Sequence, residues 1–148
     1  RASPDDAYLV IRGLRTLDIR LERHEKSTKE VIKFLAKQKK IKEILYPYKK
    51  NTKNYKNWKK YYSGATGLLS LVVKSKSKNS VYKFINSLEL FGIGYSWGGF
   101  ESLAVYQNIQ REFHKYKDKD LHIIRLHIGL EDPKDLIKDI KSSLRFIK

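Results

Sequence analysis

The sequence predicts an α+β fold: a mostly antiparallel sheet with helices on one face and a long helix at its start. Three observations predict it. Apolar or small residues at Ala7, Val10, Leu14, Leu17 and Leu21, continuing through His24 and Thr28 to Val31 and Leu35, recur in steps of three and four. Residues 122–128 alternate strictly, with Ile124, Leu126 and Ile128 facing one way and Ile123, Arg125 and His127 the other. The order of elements, α-β-β-α-β-β-(α)-β-α, mixes helices and strands without the regular βα alternation of a parallel sheet.

The first helix starts at Ser3-Pro4-Asp5-Asp6, a serine cap, a proline in the first turn and two carboxylates at the positive end of the dipole. Its stripe predicts helix to about Lys37, a rod of ~50 Å at 1.5 Å per residue. A compact domain of this size is only ~40 Å across. Such a helix overhangs its own domain, so residues 1–38 read as a helix linking a second, missing domain to residues 39–148. Ser27-x-x-Glu30 is a possible capping box for a separate helix, which would weaken that overhang. Gly13, costing about 1 kcal/mol against alanine in a helix, predicts close packing at that point. His24 lies on the stripe and reads as a structural histidine.

Ile41–Tyr46, ended by Pro47, reads as a strand; Lys49–Lys60 as a polar loop with a helical turn around Trp58; Gly67–Val73 as a buried strand. Ser77–Leu88 is a short helix with Val81, Phe84, Ile85 and Leu88 on one side. Leu90–Ile93 and Ser102–Tyr106 are strands on either side of a glycine-rich turn, and Asn108–Lys119 is charged and helical or irregular. Asp132-Pro133-x-Asp135 opens the last helix, which buries Leu136, Ile137, Ile140, Leu144 and Ile147.

The chain has 148 residues, 32 Lys and Arg against 16 Asp and Glu, a net charge of +16 and neither cysteine nor methionine. Its length fits one domain. Without cysteine there is no disulfide framework or thiolate site, which agrees with a reducing cytoplasm. The missing methionine, with Arg1 leading straight into a helix, suggests a piece of something longer. No apolar run reaches the ~20 residues of a membrane span. The charge admits a nucleic-acid-binding module, for which Tyr48–Tyr62 has the weave of aromatic and basic residues. Elsewhere the basic residues spread over solvated faces. His122 and His127, five apart on a strand, point to opposite faces, which argues against a metal pair; no metal site is expected.

Phe91–Ser102 holds four glycines, a serine between two large aromatics and a carboxylate. Gly94-x-Ser96-x-Gly98 fits a nucleophile elbow, with Asp118 or Asp120 and His122 or His127 as partners by order alone. That motif needs a helix after the serine, and here a strand follows. Gly92-x-Gly94-x-x-x-Gly98 fails as a dinucleotide loop for the same reason. Ser96 also has the ordinary reading of a turn serine bonding its own backbone. Arg125 interrupts an apolar strand; it is either a surface arginine on the open sheet face or a rigidly held fork for a carboxylate.

Three segments carry a family resemblance. Tyr95–Ser102 (Y-S-W-G-G-F-E-S) resembles the S-x-G-G-x-E-S segment of the pyridoxal-phosphate enzymes of cysteine and methionine metabolism. Ile123–Asp132 (I-I-R-L-H-I-G-L-E-D) resembles their R-L-x-x-G-x-E-D segment, and Ser3–Leu17 their R-G-L-K/R-T-L helix. The three stand in the family's order and span nearly the whole chain. The resemblance implies the C-terminal small domain of a fold-type I enzyme. It puts the substrate's α-carboxylate on Arg125, a supporting role for that carboxylate on Ser96, a pocket wall on Trp97 and a neighbouring contact on Tyr95.

No lysine stands in the family's S-x-T-K context, so the Schiff-base lysine and the pyridoxal 5'-phosphate site are expected in the missing domain, and the fragment alone is expected to be inactive. Tryptophan at Trp97, where leucine is common, favours the bacterial cystathionine β-lyases. The implied substrate is L-cystathionine, and the implied assembly a cytoplasmic homo-oligomer, a tetramer. The chain then reads as a truncated product or one half of a split enzyme; the alternatives are a basic nucleic-acid-binding module and an inactive remnant of a decayed gene.

Overall fold

The computed structural model describes residues 2–50, 52, 54–108 and 118–148. The charged segment expected at Asn108–Lys119 therefore lies almost wholly outside the described residues.

The amino-terminal stripe forms two helices in place of one, α1 (Pro4–Leu14) and α2 (Leu17–Leu35). Ser3 caps α1 in a reciprocal box with Asp6. The break falls at Arg15–Thr16, where Thr16 leaves helical geometry at φ −122°, ψ 13°. Gly13 lies in the last turn of α1, and its carbonyl, freed of a helical partner, accepts from Arg20 Nη2 at 2.6 Å. Among the described residues nothing packs closely on Gly13: a Cβ on it would come no nearer than 4.0 Å to Arg20 Nη2. Ser27, read as a second helix cap, is instead buried in the middle of α2.

Nothing on α1 is buried; Tyr8, Leu9, Val10, Ile11 and Leu14 are each more than half exposed. These apolar residues at the start of the chain therefore have no partner among the described residues. The far end of α2 belongs to the core, where Val31 and Leu35 are fully buried.

After α2 come β1 (Ile41–Leu45), α3 (Tyr55–Tyr61), β2 (Leu68–Lys74), α4 (Lys78–Asn86), β3 (Gly92–Ile93), β4 (Leu103–Gln107), β5 (Leu121–His127) and α5 (Pro133–Ser143), which ends in a 3₁₀ turn. The sheet order is β1-β2-β5-β4-β3. Every pairing is antiparallel except β3 with β4, which run parallel. The segment between those two is thus a crossover, not a hairpin.

Leu69, Leu71, Ala104, Ile124 and Leu126 point to one side of the sheet and pack with Val31, Leu35, Val81, Phe84, Leu136 and Ile140 of the helices. That face is buried. The registers place Ser70, Arg125 and Val105 side by side on the other face. His122 falls on the helix side, bonded to the Ser75 carbonyl and the Tyr106 hydroxyl, and His127 on the other side.

Candidate functional site

Two sequence patterns meet at one place, the glycine corner between β3 and β4 and the open face of β5. Arg125 is half-buried in the middle strand region, rooted between Ser70 and Val105. Its Nη2 donates to the Tyr95 carbonyl at 2.5 Å and lies 3.5 Å from the carbonyls of Gly94 and Ser96. The guanidinium also sits 5.8 Å from the Tyr95 ring centroid. No ion pair joins it to a carboxylate among the described residues. A cation on a rigid strand, oriented by the chain it faces and lacking an anion, is pre-organised for one.

Arg125 and Ser96 are thus neighbours on the same side of the sheet, in contact through the serine's carbonyl. The side chains of Tyr95, Ser96 and Trp97 project into solvent, with Tyr95 72% and Trp97 65% exposed. Among the described residues the Ser96 hydroxyl makes no hydrogen bond to a histidine. His122 is taken by Ser75 and Tyr106, and His127 by the backbone of Gly98 and Gly99. With a strand following the corner, the nucleophile-elbow reading has no structural basis.

The corner is tied down by residues that the sequence reading passed over. Glu131 accepts from both the amide and the hydroxyl of Ser102, and that hydroxyl accepts from the Gly129 amide at 2.8 Å. Leu130 donates to the Phe100 carbonyl at 2.8 Å. Gly129 is needed here because a Cβ would stand 2.2 Å from the Phe100 oxygen. Gly98 turns the chain at φ +81°, a region that L side chains avoid. The signal was present in the letters: E-S closes one motif and G-L-E opens the turn of the other.

His127 is buried beneath the corner, and burial pushes its imidazole below the ordinary value, the charged neighbours Glu131 and Arg125 acting in opposite senses.

Beside Arg125, over β1 and β2, lies a cavity of about 990 Å³ walled by Tyr46, Tyr48, Trp58 and Tyr62 and floored by Leu68 and Ser70. Three rings of this segment are engaged with one another: Trp58 meets Tyr48 edge-on at 4.6 Å, stacks on Tyr55 at 5.6 Å and donates to the Gly64 carbonyl, whereas Tyr61 and Tyr62 are exposed. Those three are thus not laid out as the outward ring faces of a single-strand binding platform.

The model of the Cys/Met metabolism PLP-dependent enzyme family matches residues 1–145. The chain belongs to that family. Members of the Cys/Met metabolism family similar to it include a putative cystathionine beta-lyase of Rhizobium johnstonii, 39% identical over 94% of this chain and 36% of its own length. An L-alanine/L-glutamate racemase of Wolbachia pipientis is 38% identical over 94% of the chain and 35% of its own. Among solved structures, cystathionine gamma synthase of Xanthomonas oryzae superposes with a TM-score of 0.86 at 26% identity, covering 98% of this chain and 39% of that one. The chain spans little more than a third of the curated relatives it matches. It has the α+β architecture of the matching part of that enzyme.

Among the described residues no lysine is enclosed as the cofactor's anchor would be. A Schiff-base lysine must stand in an enclosed pocket. No lysine lines the cavity beside Arg125, and every described lysine is exposed or half-buried. No step through pyridoxal phosphate follows from this chain alone. Among the described residues no helix is long and apolar enough to cross a membrane, and no cluster of three ligating side chains is placed to hold a metal ion.

Proposed function

We propose that this chain is the substrate-carboxylate half of a pyridoxal-phosphate-dependent carbon–sulfur lyase of the cystathionine β-lyase kind. The single observation that carries the reading is Arg125: a guanidinium with no carboxylate partner among the described residues, held against the carbonyls of the Gly94–Ser96 corner, on the open face of the sheet. It receives the amino acid's α-carboxylate in a forked pair, while Ser96 and Trp97 line the rim of the same site. Tyr95 lies at that rim as a neighbour. The cofactor and its lysine come from a further domain, for which the exposed residues of α1 are the contact.

With that domain supplied, the overall reaction is hydrolytic β-elimination of L-cystathionine to homocysteine, pyruvate and ammonia. Support for β chemistry comes from Trp97 and from the putative β-lyase relative. The similarity to the cystathionine gamma-lyase of Homo sapiens, 34% identical over 97% of this chain and 36% of its own length, favours γ-elimination as the second reading. Product analysis separates them: β-elimination yields pyruvate and homocysteine, γ-elimination cysteine and 2-oxobutyrate. In the complete enzyme, Arg125→Ala should lower kcat/KM about 10²–10³-fold, the worth of a charged fork of ~3–4 kcal/mol, and leave the cofactor's absorbance unchanged. An unchanged kcat/KM overturns the assignment.

A further inference from the structure

Arg125 and His127 stand two apart on β5 and reach across to the same short stretch of backbone. Arg125 takes carbonyls at Gly94–Ser96; His127 Nε2 lies 3.2 Å from the Gly98 amide nitrogen and 3.1 Å from the Gly99 carbonyl. We propose that His127 is a positioning residue for the carboxylate site: its Nε2–H fastens the Gly99 peptide, so that one strand sets both the arginine and the loop bearing Ser96 and Trp97. The proposal rests on the reading of that loop as the carboxylate end of the site.

The tautomer follows from counting partners. Nε2 can donate to Gly99 or accept from Gly98, but not both in one neutral ring. His127 is only 2% exposed, and its Nδ1 is buried with no hydrogen-bond partner. A proton on Nδ1 would make a buried, unsatisfied donor, whereas an unprotonated Nδ1 leaves an unsatisfied acceptor, which is the more tolerable of the two. Gly98 is exposed, so water can serve its amide when Nε2 keeps the hydrogen. The neutral ring protonated at Nε2 therefore donates to Gly99.

The ring is also held from behind. His24 of α2 packs against it at 5.1 Å between centroids, tilted by 49°, and is itself fixed by a 2.7 Å bond from Nδ1 to the Ile128 carbonyl. The groups facing His127 are then His24 from α2, Arg125 from its own strand, Glu131 from the turn after β5 and the backbone of Gly98–Gly99. Arginine, a donor only, suits the carbonyl-rich end of the loop. Imidazole suits the end where an amide and a carbonyl meet.

The test is spectroscopic and uses this chain without the cofactor. Long-range nitrogen–proton correlation at pH 7.5 should show His127 as the Nε2–H tautomer; the Nδ1–H tautomer would overturn the proposal, and this reading needs no variant to fold. His127→Leu should raise amide exchange across Tyr95–Gly99 about tenfold while Leu126 and Ile128 stay protected. His127→Gln, whose amide reaches the same carbonyl, should restore it. Equal exchange in all three proteins would also overturn it. Failure of the carboxylate reading has a different sign: in the complete enzyme Arg125→Ala leaves kcat/KM unchanged, with the His127 tautomer and the exchange pattern as stated.

Discussion

Glu131 holds Ser102 with both carboxylate oxygens: Oε1 accepts from the Ser102 amide at 2.7 Å and Oε2 from its hydroxyl at 2.8 Å. Ser102 is fully buried and lies where the corner re-enters the sheet. Removing the carboxylate strands a buried amide and hydroxyl, each unsatisfied donor costing about 1–3 kcal/mol. Glu131→Ala should therefore lower stability by about 2–4 kcal/mol in urea denaturation. Glu131→Gln, which keeps one good acceptor, should lose roughly half as much. Equal stability of Glu131→Ala and the parent would mean the pairing is incidental.

Asp139 makes a similar tie elsewhere. Buried on α5, it accepts from the amides of Glu89 and Leu90 at 2.9–3.1 Å, closing the exit of α4. Asp139→Ala should cost about 2–3 kcal/mol, the range of charge-assisted bonds lost with donors left behind. Thermal unfolding of the variant, monitored by circular dichroism, checks this.

Gly129 admits no side chain. A Cβ would lie 2.2 Å from the Phe100 oxygen and 2.6 Å from the Glu101 carbonyl carbon, both backbone atoms. Gly129→Ala should displace the corner and release the Leu130–Phe100 hydrogen bond, seen as loss of amide protection at Leu130. Retained protection there would refute the close approach.

The pH dependence follows from His127. Its folded-state pKa lies below the ordinary value of about 6.5, because burial disfavours the imidazolium. Below that value the unfolded chain binds a proton that the folded chain refuses. Stability is then full above pH ~6.5 and falls as the pH drops beneath it. Comparing urea midpoints at pH 7.5 and 5.5 should show the drop, and His127→Gln should make it smaller. A variant with an undiminished drop would move the effect to other groups.

Arg125→Lys retains the charge and loses the fork. Lysine is a compact point charge that cannot pair bidentately. In the complete enzyme kcat/KM should fall about 10–100-fold, with most of the change in KM. A loss confined to kcat would place Arg125 in the chemistry and not in carboxylate binding.

Much of this was readable in advance, for physical reasons that differ by element. The period of β5 is exact, so the faces of Ile124 and Arg125 could be assigned from spacing, and burial on one side only then fixes the register. Ser3 and Asp132 cap their helices as their neighbours in sequence suggest, because capping is local. The break at Arg15–Thr16 was not readable. No proline marks it, and the contact from Arg20 to the Gly13 carbonyl is a consequence of the break as much as a cause.

At the site, Arg125 and Ser96 were found by motif, and their proximity is a property of the fold. Glu131 and His127 were missed as anchors of the corner. Their partners lie 28–29 residues away, and which backbone atoms they meet depends on the path of a turn that has no periodicity to read.

The parallel pairing of β3 with β4 has a topological result. Two parallel neighbours oblige the chain to travel back along the sheet before starting again, a journey usually made by a dozen residues or more with a helix among them. Here residues 94–102 make it unaided. Because β3 is only two residues long, the way back is short, and the same nine residues are at once the rim of the pocket and the tether of the outermost strand. Anything that grips the loop from above would at the same time brace the edge of the sheet beneath.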